Sequence, residues 1–434
     1  MSYKQSIKIN QSLINKLKNS LADKDQIKNV LNCIEGDFVL YHGTYAQAKP
    51  FNFLLHFFKN LFYEKVYSLN DDIIRSATEN IACLVTADNI YKENLKPAID
   101  ILNSKGHHHY EYRLKIKKKL SFRIFRLKIK HLFSIRDFFY KNINVLTFSN
   151  VLKLLYIKYI LISDCSKLIN FLEQEVSKDH RIFLSAEICD TFSRAMASVC
   201  KLRKIKYVVF QPGPFETGEN LEVQSILADE FIVWPSSKNY FLNPANRLFD
   251  KICNLSYFDS IRFLLSPNPQ VIKKYDLVFF LTWLSHNSQK NKINQQLRDT
   301  LKYLSSNTDL QVFLKMHPST FEDQEKEYLF EYKDFEFIDK SIQSGVVINE
   351  SRLILNFGST VSFDSDFLNV KTGIINFDKD IPDNHQFFDL DHVMNLRKLD
   401  DLLYFIEDFN PQPTKIEKEI EIDNNIISYI ESLM

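Results

Sequence analysis

Several short apolar runs in this chain stop abruptly at polar residues, and that pattern limits the folds open to it more than any other feature. The two sharpest lie in the C-terminal third. One is Leu310-Gln-Val-Phe-Leu-Lys315, followed by Met316-His317-Pro318; the other is Leu353-Ile-Leu-Asn356, followed by Phe357-Gly358-Ser359-Thr360. Short runs of this kind read as buried strands, and strands separated by helical patterns indicate βαβ units and a parallel sheet. In an open parallel sheet, ligands collect beyond the carboxyl ends of the strands. His317 and the Gly358-Ser359-Thr360 turn are therefore able to face one crevice despite their separation in sequence.

The same alternation organises the rest of the chain. After a polar helical segment to about Asn32, the first lobe offers a strand Asp37–Tyr41 running into His42-Gly43-Thr44, then a strand Ile81–Thr86 and a helix Lys92–Asn103. It resumes with the strand Arg181–Ser185, the helix Thr191–Arg203 and the strands Tyr207–Phe210 and Glu230–Val233. Trp234-Pro235-Ser-Ser237 and Pro244, Pro267 and Pro269 interrupt the pattern, which places a boundary between Pro235 and Lys274. Beyond it the expected order is strand Asp276–Thr282, helix Lys290–Tyr303, strand Leu310–Lys315, helix Glu322–Phe330, strand Arg352–Asn356, helix Val361–Phe367 and strand Thr372–Phe377. The expected domains are 1–235, a linker 236–274, 275–410, and a charged terminal helix within 411–434 that either crosses back onto the first lobe or packs locally.

At 434 residues, length favours two or three cores, and 45% hydrophobic residues are ample for buried sheets. A formal net charge of +1 gives no global attraction to nucleic acid. The six cysteines, at positions 33, 83, 165, 189, 200 and 253, show no zinc spacing and read as reduced thiols. The N-terminus lacks the apolar core of a signal peptide, and no stretch reaches the ~20 apolar residues that span a bilayer, so a cytoplasmic protein is expected.

One segment departs from the alternation. From His107 to Asn142, Lys and Arg interleave with Leu, Ile and Phe, almost without acidic residues between Leu114 and Arg136. This pattern suits an insertion forming an interfacial helix on an anionic membrane, and equally a solvated basic face whose apolar stripe packs inward. The run His107-His108-His109 reads as a polar helix start.

A helix beginning near Ser359 or Thr360 would aim free N–H groups at an anion beyond the strand, although Ser359 also suits a plain N-cap. His317 suits an anion contact or a loop stiffened by Pro318. Together, the Lys315-x-His317-Pro318 strand end and the Gly358-Ser359-Thr360 turn resemble the C-terminal domain of bacterial surface-polysaccharide glycosyltransferases of GT-B architecture, with two Rossmann-like domains whose parallel sheets face a central cleft. Within that group the chain is most similar to capsule and lipopolysaccharide enzymes that use CMP-sugars, the sialyltransferase-like and Kdo-transferase-like families. Upstream, Lys206–Glu216 and Leu227–Ser236 resemble a strand ending in Gln-His-Gly and an Ala-Asp strand opening of related enzymes, with Pro212 in place of the histidine.

The resemblance implies that His317, Pro318, Gly358, Ser359 and Thr360 hold the phosphate of a CMP-activated donor, with Lys315 a further cation for it. Asp364 stands where such helices often carry Glu for ribose or base contacts, and Gln211 and Gly213 keep the upstream turn. It implies no cofactor and no metal. A nucleotide-sugar donor would meet a glycan or lipid-linked glycan acceptor by inverting transfer, on a cytoplasmic protein that could lie on the inner membrane face. The base that takes the acceptor proton is expected from Glu187, Asp190 or His42, with Glu216 a fourth choice, and each equally suits a cap or a solvated loop. The resemblance leaves two alternatives. One is a teichoic-acid-type enzyme using CDP-glycerol or CDP-ribitol, and the other is a membrane-associated scaffold without turnover.

Overall fold

The computed structural model describes residues 3–20, 25–38, 49–69, 80–86, 94–120, 148–187, 190–211, 227–233, 254–257, 272–281, 287–317, 320, 322–381, 383, 385–407 and 426–434. The first lobe opens with three helices, α1 (Tyr3–Ser20), α2 (Asp25–Asp37) and α3 (Pro50–Leu61). It continues through β1 (Tyr63–Leu69), β2 (Ile81–Val85), α4 (Lys96–Ser104) and β3 (His109–Leu120). Helix α5 (Phe148–Tyr156) then passes through a π-helical turn (Ile157–Leu161) into α6 (Ile162–Glu175). The strands β4 (Ile182–Ser185), β5 (Lys206–Phe210), β6 (Glu230–Val233) and β7 (Asn254–Tyr257) complete the sheet, with α7 (Thr191–Arg203) between β4 and β5.

The strand order is β1-β3-β2-β4-β5-β6-β7, parallel throughout except where β1 runs antiparallel to β3. Because successive side chains on a strand point to opposite faces, a sheet covered on both sides needs apolar residues at consecutive positions. Strand β2 does this. Ala82 and Leu84 join the core under α1, α2 and α5–α7, whereas Ile81, Cys83 and Val85 join the one under α4.

The second lobe comprises β8 (Tyr275–Phe280), α8 (Asn287–Asn307), β9 (Val312–Lys315), α9 (Glu322–Glu331), β10 (Glu336–Ile338), α10 (Ser344–Asn349), β11 (Ser351–Asn356), α11 (Val361–Phe367), β12 (Lys371–Ile375), β13 (Val393–Leu396) and α12 (Asp400–Glu407). Its strand order is β10-β9-β8-β11-β12-β13, all parallel. Leu277, Phe279 and Leu353 pack with α8, α9 and α12, and Val278, Phe280 and Ile354 pack with α10 and α11.

The last described helix, α13 (426–433), returns to the first lobe. Ile426, Ile427 and Ile430 are buried against Ile182, Val208 and Ile232. The Tyr429 hydroxyl donates to Glu230 Oε2 at 3.0 Å, and Lys105 Nζ lies 3.1 Å from Glu431 Oε2. Of the two placements open in sequence, the crossing one is observed. Two doubly wound α/β lobes with a returning terminal helix make the GT-B class.

Four expectations are revised. Asp37 closes α2 instead of opening a strand, and 39–48 lie outside the described residues. The segment from His109 to Leu120 is strand β3, no insertion and no interfacial helix: it pairs with β2 through Arg113 and with β1 from Leu114 onward. His109 therefore opens a strand, its Nδ1 3.1 Å from Asn103 Oδ1. Residues 121–142 of that insertion lie outside the described residues. Finally, β7 adds a strand to the first sheet from within the expected linker 236–274.

Candidate functional site

In a doubly wound sheet the crevice opens where successive strands are added on opposite sides of the first one. In the second lobe β8 comes first, β9 lies on one side of it and β11 on the other, so the switch point lies between β8 and β11 at their carboxyl ends. His317 follows β9 by two residues, and the Gly358–Thr360 turn follows β11. With one strand between them, those two strand ends lie about 10 Å apart, within the reach of one nucleotide phosphate and its neighbours.

The turn is built from beneath. Asn356, fully buried at the end of β11, accepts on Oδ1 from Gly358 N–H at 2.8 Å and Ser359 N–H at 3.0 Å. Its Nδ2 donates to Ser362 Oγ at 3.1 Å. An Asn bonding the backbone two residues on is an Asx turn, and it spends two N–H groups that the sequence offered to a ligand. Gly358 has φ +84°, a conformation that requires glycine here, and a Cβ there would lie 2.5 Å from Ile381 Cδ1, so the tip of that side chain would have to shift. Ile381 is held by Asn376, which accepts from its N–H at 3.0 Å and donates to its carbonyl at 2.8 Å.

Ser359 Oγ accepts from Val361 N–H at 3.3 Å, which is the plain capping role. Thr360 is the N-cap residue of α11 and makes no side-chain cap bond. It is half-exposed, and among the described residues its N–H and hydroxyl carry no hydrogen bond, so both are donors this turn can offer a ligand. Helix α11 has only seven residues, so its dipole adds little to those two groups.

His317 is half-buried, and its carbonyl accepts from Thr320 N–H at 2.9 Å. Burial first, and then the Lys315 cation, pushes its pKa below the ordinary histidine value. That shift favours the neutral imidazole at physiological pH. Lys315 is 1% exposed, and its Nζ donates to the Asp339 carbonyl at 2.8 Å, tying the end of β9 to the loop after β10. Asp364 is also buried, on the first turn of α11. Pro318 lies outside the described residues.

In the first lobe β2 is the first of the parallel strands, with β3 on one side and β4 on the other, so the switch point lies between β2 and β4. Glu187 stands two residues beyond β4 and is half-exposed. Ser185 Oγ accepts from Glu187 N–H at 3.1 Å and donates to its carbonyl at 3.2 Å, fixing the backbone there. Asp190 is the N-cap of α7, its Oδ1 accepting from Phe192 N–H at 2.7 Å and Ser193 N–H at 2.9 Å. Gln211 is 2% exposed just past β5, and its N–H donates to the Ile232 carbonyl at 2.9 Å. His42, Gly213 and Glu216 lie outside the described residues.

Sequence reasoning missed Asn356 as the organiser of the turn. The signal was present in Asn356-Phe357-Gly358-Ser359, since Asn ahead of Gly and Ser is turn chemistry.

No family model matches the chain, and no curated protein matches it. Among solved structures it is similar to the UDP-GlcNAc 2-epimerase of Methanocaldococcus jannaschii in complex with UDP-GlcNAc and UDP, at 12% identity over 81% of this chain and 99% of that one, TM-score 0.48. It is similar to a spinosyn forosaminyltransferase at 10% identity over 82% and 99%, TM-score 0.46. The wall teichoic acid polymerase TagF is matched at 15% identity over 59% of this chain and 72% of the polymerase, TM-score 0.38. Likeness at this level does not identify a ligand. Among the described residues, no helix is long and apolar enough to cross a membrane.

Proposed function

We propose that the chain is a nucleotide-dependent glycosyltransferase that grips the donor phosphate between His317 and Thr360 at the carboxyl edge of the second sheet. One observation carries this reading: both residues follow the strands that flank β8, with Thr360 at the switch point between β8 and β11 and His317 one strand away. As the bond from the anomeric carbon to the phosphate oxygen breaks, negative charge collects on the departing nucleotide. Fixed N–H and O–H donors stabilise that charge. A neutral imidazole supplies one, and the Thr360 N–H and hydroxyl supply two more.

The acceptor hydroxyl forms the new bond to the anomeric carbon and gives its proton to a base. Glu187 is the preferred base, because Asp190 spends Oδ1 on capping α7 while Glu187 is half-exposed at the first sheet's switch point. The proposed donor is a CMP-activated nonulosonic acid or Kdo, the proposed acceptor a surface glycan, and the proposed transfer inverting and metal-independent. A CDP-glycerol or CDP-ribitol phosphotransferase is the second reading. It is favoured by the same groups, which address phosphate and leave the transferred moiety open.

Thermal shift with CMP, CDP, UDP and GDP tests the nucleotide first, since a ligand that binds the native state raises its melting point. Nucleotide release from CMP-sialic acid, CMP-Kdo and CDP-glycerol, each with the purified chain, then separates the two readings. CMP released from CDP-glycerol alone overturns the sugar transferase, and no stabilisation by any nucleotide overturns both.

A further inference from the structure

Helix α3 is apolar on two sides. Phe53, Phe57 and Leu61 are buried, and Phe53 packs on Tyr156 with ring centroids 5.0 Å apart. On the other side Phe51, Leu55, Phe58 and the C-cap residue Phe62, spaced four, three and four positions apart, are 68%, 57%, 48% and 38% exposed. These intervals put them on one stripe. A helix apolar on both sides ordinarily lies within a core, so a solvent-facing stripe of three phenylalanines and a leucine calls for an occupant.

The stripe runs directly into a basic ribbon. Phe62 precedes Tyr63, whose register partner is Leu120; Lys65 pairs with Lys118 and Val66 with Lys117. Leu120 and Ile116 are 63% and 49% exposed and share one face of β3 with exposed Lys118, while exposed Lys115, Lys117 and Lys119 alternate onto the other face. Among the described residues these four lysines form no ion pair. Lys65 lies 3.9 Å from Asp164, and Glu64, the one acidic residue of β1, is bonded by Lys167. Lys59, Lys65 and Lys118 all act electrostatically on His56 of α3, which puts those cations around the helix.

We propose that the outward stripe of α3, rimmed by Lys59, Lys65 and Lys118, docks the chain on an anionic lipid bilayer. Apolar insertion plus cationic attraction are the two signals that stable interfacial binding requires. Charge decides against the other occupants. A second copy meeting this face about a twofold axis would set lysines against lysines. A nucleic acid would use the lysines and leave Leu55, Ile116 and Leu120 exposed to no purpose.

The test is sedimentation of the full chain with vesicles of phosphatidylcholine alone and of phosphatidylcholine mixed with phosphatidylglycerol. The wild type should pellet with the anionic vesicles only. The double variant Phe51→Ser/Phe58→Ser should lose roughly tenfold or more in partition for each ring removed. Lys59→Gln/Lys118→Gln, which removes two exposed cations on the side of α3, should lose roughly fivefold per lysine. These positions are exposed, so circular dichroism melting and nucleotide-induced thermal shifts should match the wild type. Equal pelleting with both vesicles, or unchanged pelleting of either variant, overturns the proposal. So does a dimer in analytical ultracentrifugation that the phenylalanine variant splits without any vesicle binding, or polyanion binding that survives loss of the stripe.

Discussion

Replacing Asn356 separates the support of the phosphate turn from its ligand. Asn356→Ala removes the acceptor of the Gly358 and Ser359 N–H groups and the donor to Ser362 Oγ, all within a fully buried side chain. Each buried donor left unpaired costs about 1–3 kcal/mol, and the half-exposed turn lets water recover part of that, so the loss expected is about 2–4 kcal/mol. Asn356→Asp keeps the acceptor oxygens, and the Ser362 hydroxyl can turn to donate to them, but its charge is desolvated at this buried position, so the loss expected is about 1–3 kcal/mol. The carboxylate would, however, oppose a phosphate above the turn. At roughly 7 Å and an effective dielectric constant of about 20, one pair of like charges costs about 2 kcal/mol, some thirtyfold in affinity. Urea unfolding measures the first effect as a shift in midpoint at unchanged slope, and calorimetric titration with the best nucleotide of the thermal-shift panel measures the second. A stable Asn356→Asp variant that binds nucleotide like the wild type would refute the placement of phosphate over this turn.

Other outcomes follow from the same geometry. Glu187→Gln should abolish transfer while leaving nucleotide affinity within about twofold, as expected of a base that acts on the acceptor; residual turnover near the wild-type level, measured by nucleotide release, would move the base elsewhere. Lys315→Met should raise the His317 pKa followed by NMR, since the cation is the second cause of its depression, while burial keeps it below the ordinary value. His385 is 4% exposed, and burial lowers its pKa to about 4, with Nδ1 accepting from Phe387 N–H at 3.2 Å. Below about pH 6.5 the unfolded chain binds a proton there that the folded chain refuses, so stability present above that value falls as pH drops toward 4, by at most about 3 kcal/mol. Urea midpoints at pH 7.5 and 5 should differ more in the wild type than in His385→Asn, which keeps an acceptor for Phe387.

Much of the second lobe was legible in sequence because its strands are continuous apolar runs. Leu277–Phe280, Val312–Leu314 and Leu353–Leu355 are buried on both faces, and the helix Val361–Phe367 was delimited by the turn before it. Strand β3 was illegible for the opposite reason. Its outer half, Leu114-Lys-Ile-Lys-Lys-Lys-Leu120, pairs only with the edge strand β1 and stays exposed, so it carries lysines where a central strand carries valine. The alternation Leu114, Ile116 against Lys115, Lys117 has the period of a strand, and the density of charge masked it. At the site, the strand ends were legible as positions, whereas the partners of each side chain were not. Nothing local to Lys315 announces that its ammonium reaches the Asp339 carbonyl, and nothing local to Asp190 tells a cap from a base.

A double-mutant cycle on His317→Ala and Thr360→Ala, read as nucleotide affinity by titration calorimetry, decides whether the two residues act on the same anionic group. Side chains that share one ligand group couple by about 0.5–3 kcal/mol, whereas independent sites add to within about 0.5 kcal/mol. Each single variant should weaken binding, and the double variant should lose less than their sum. Wild-type affinity in both single variants, or strict additivity of two separate losses, would contradict a shared phosphate at this sheet edge.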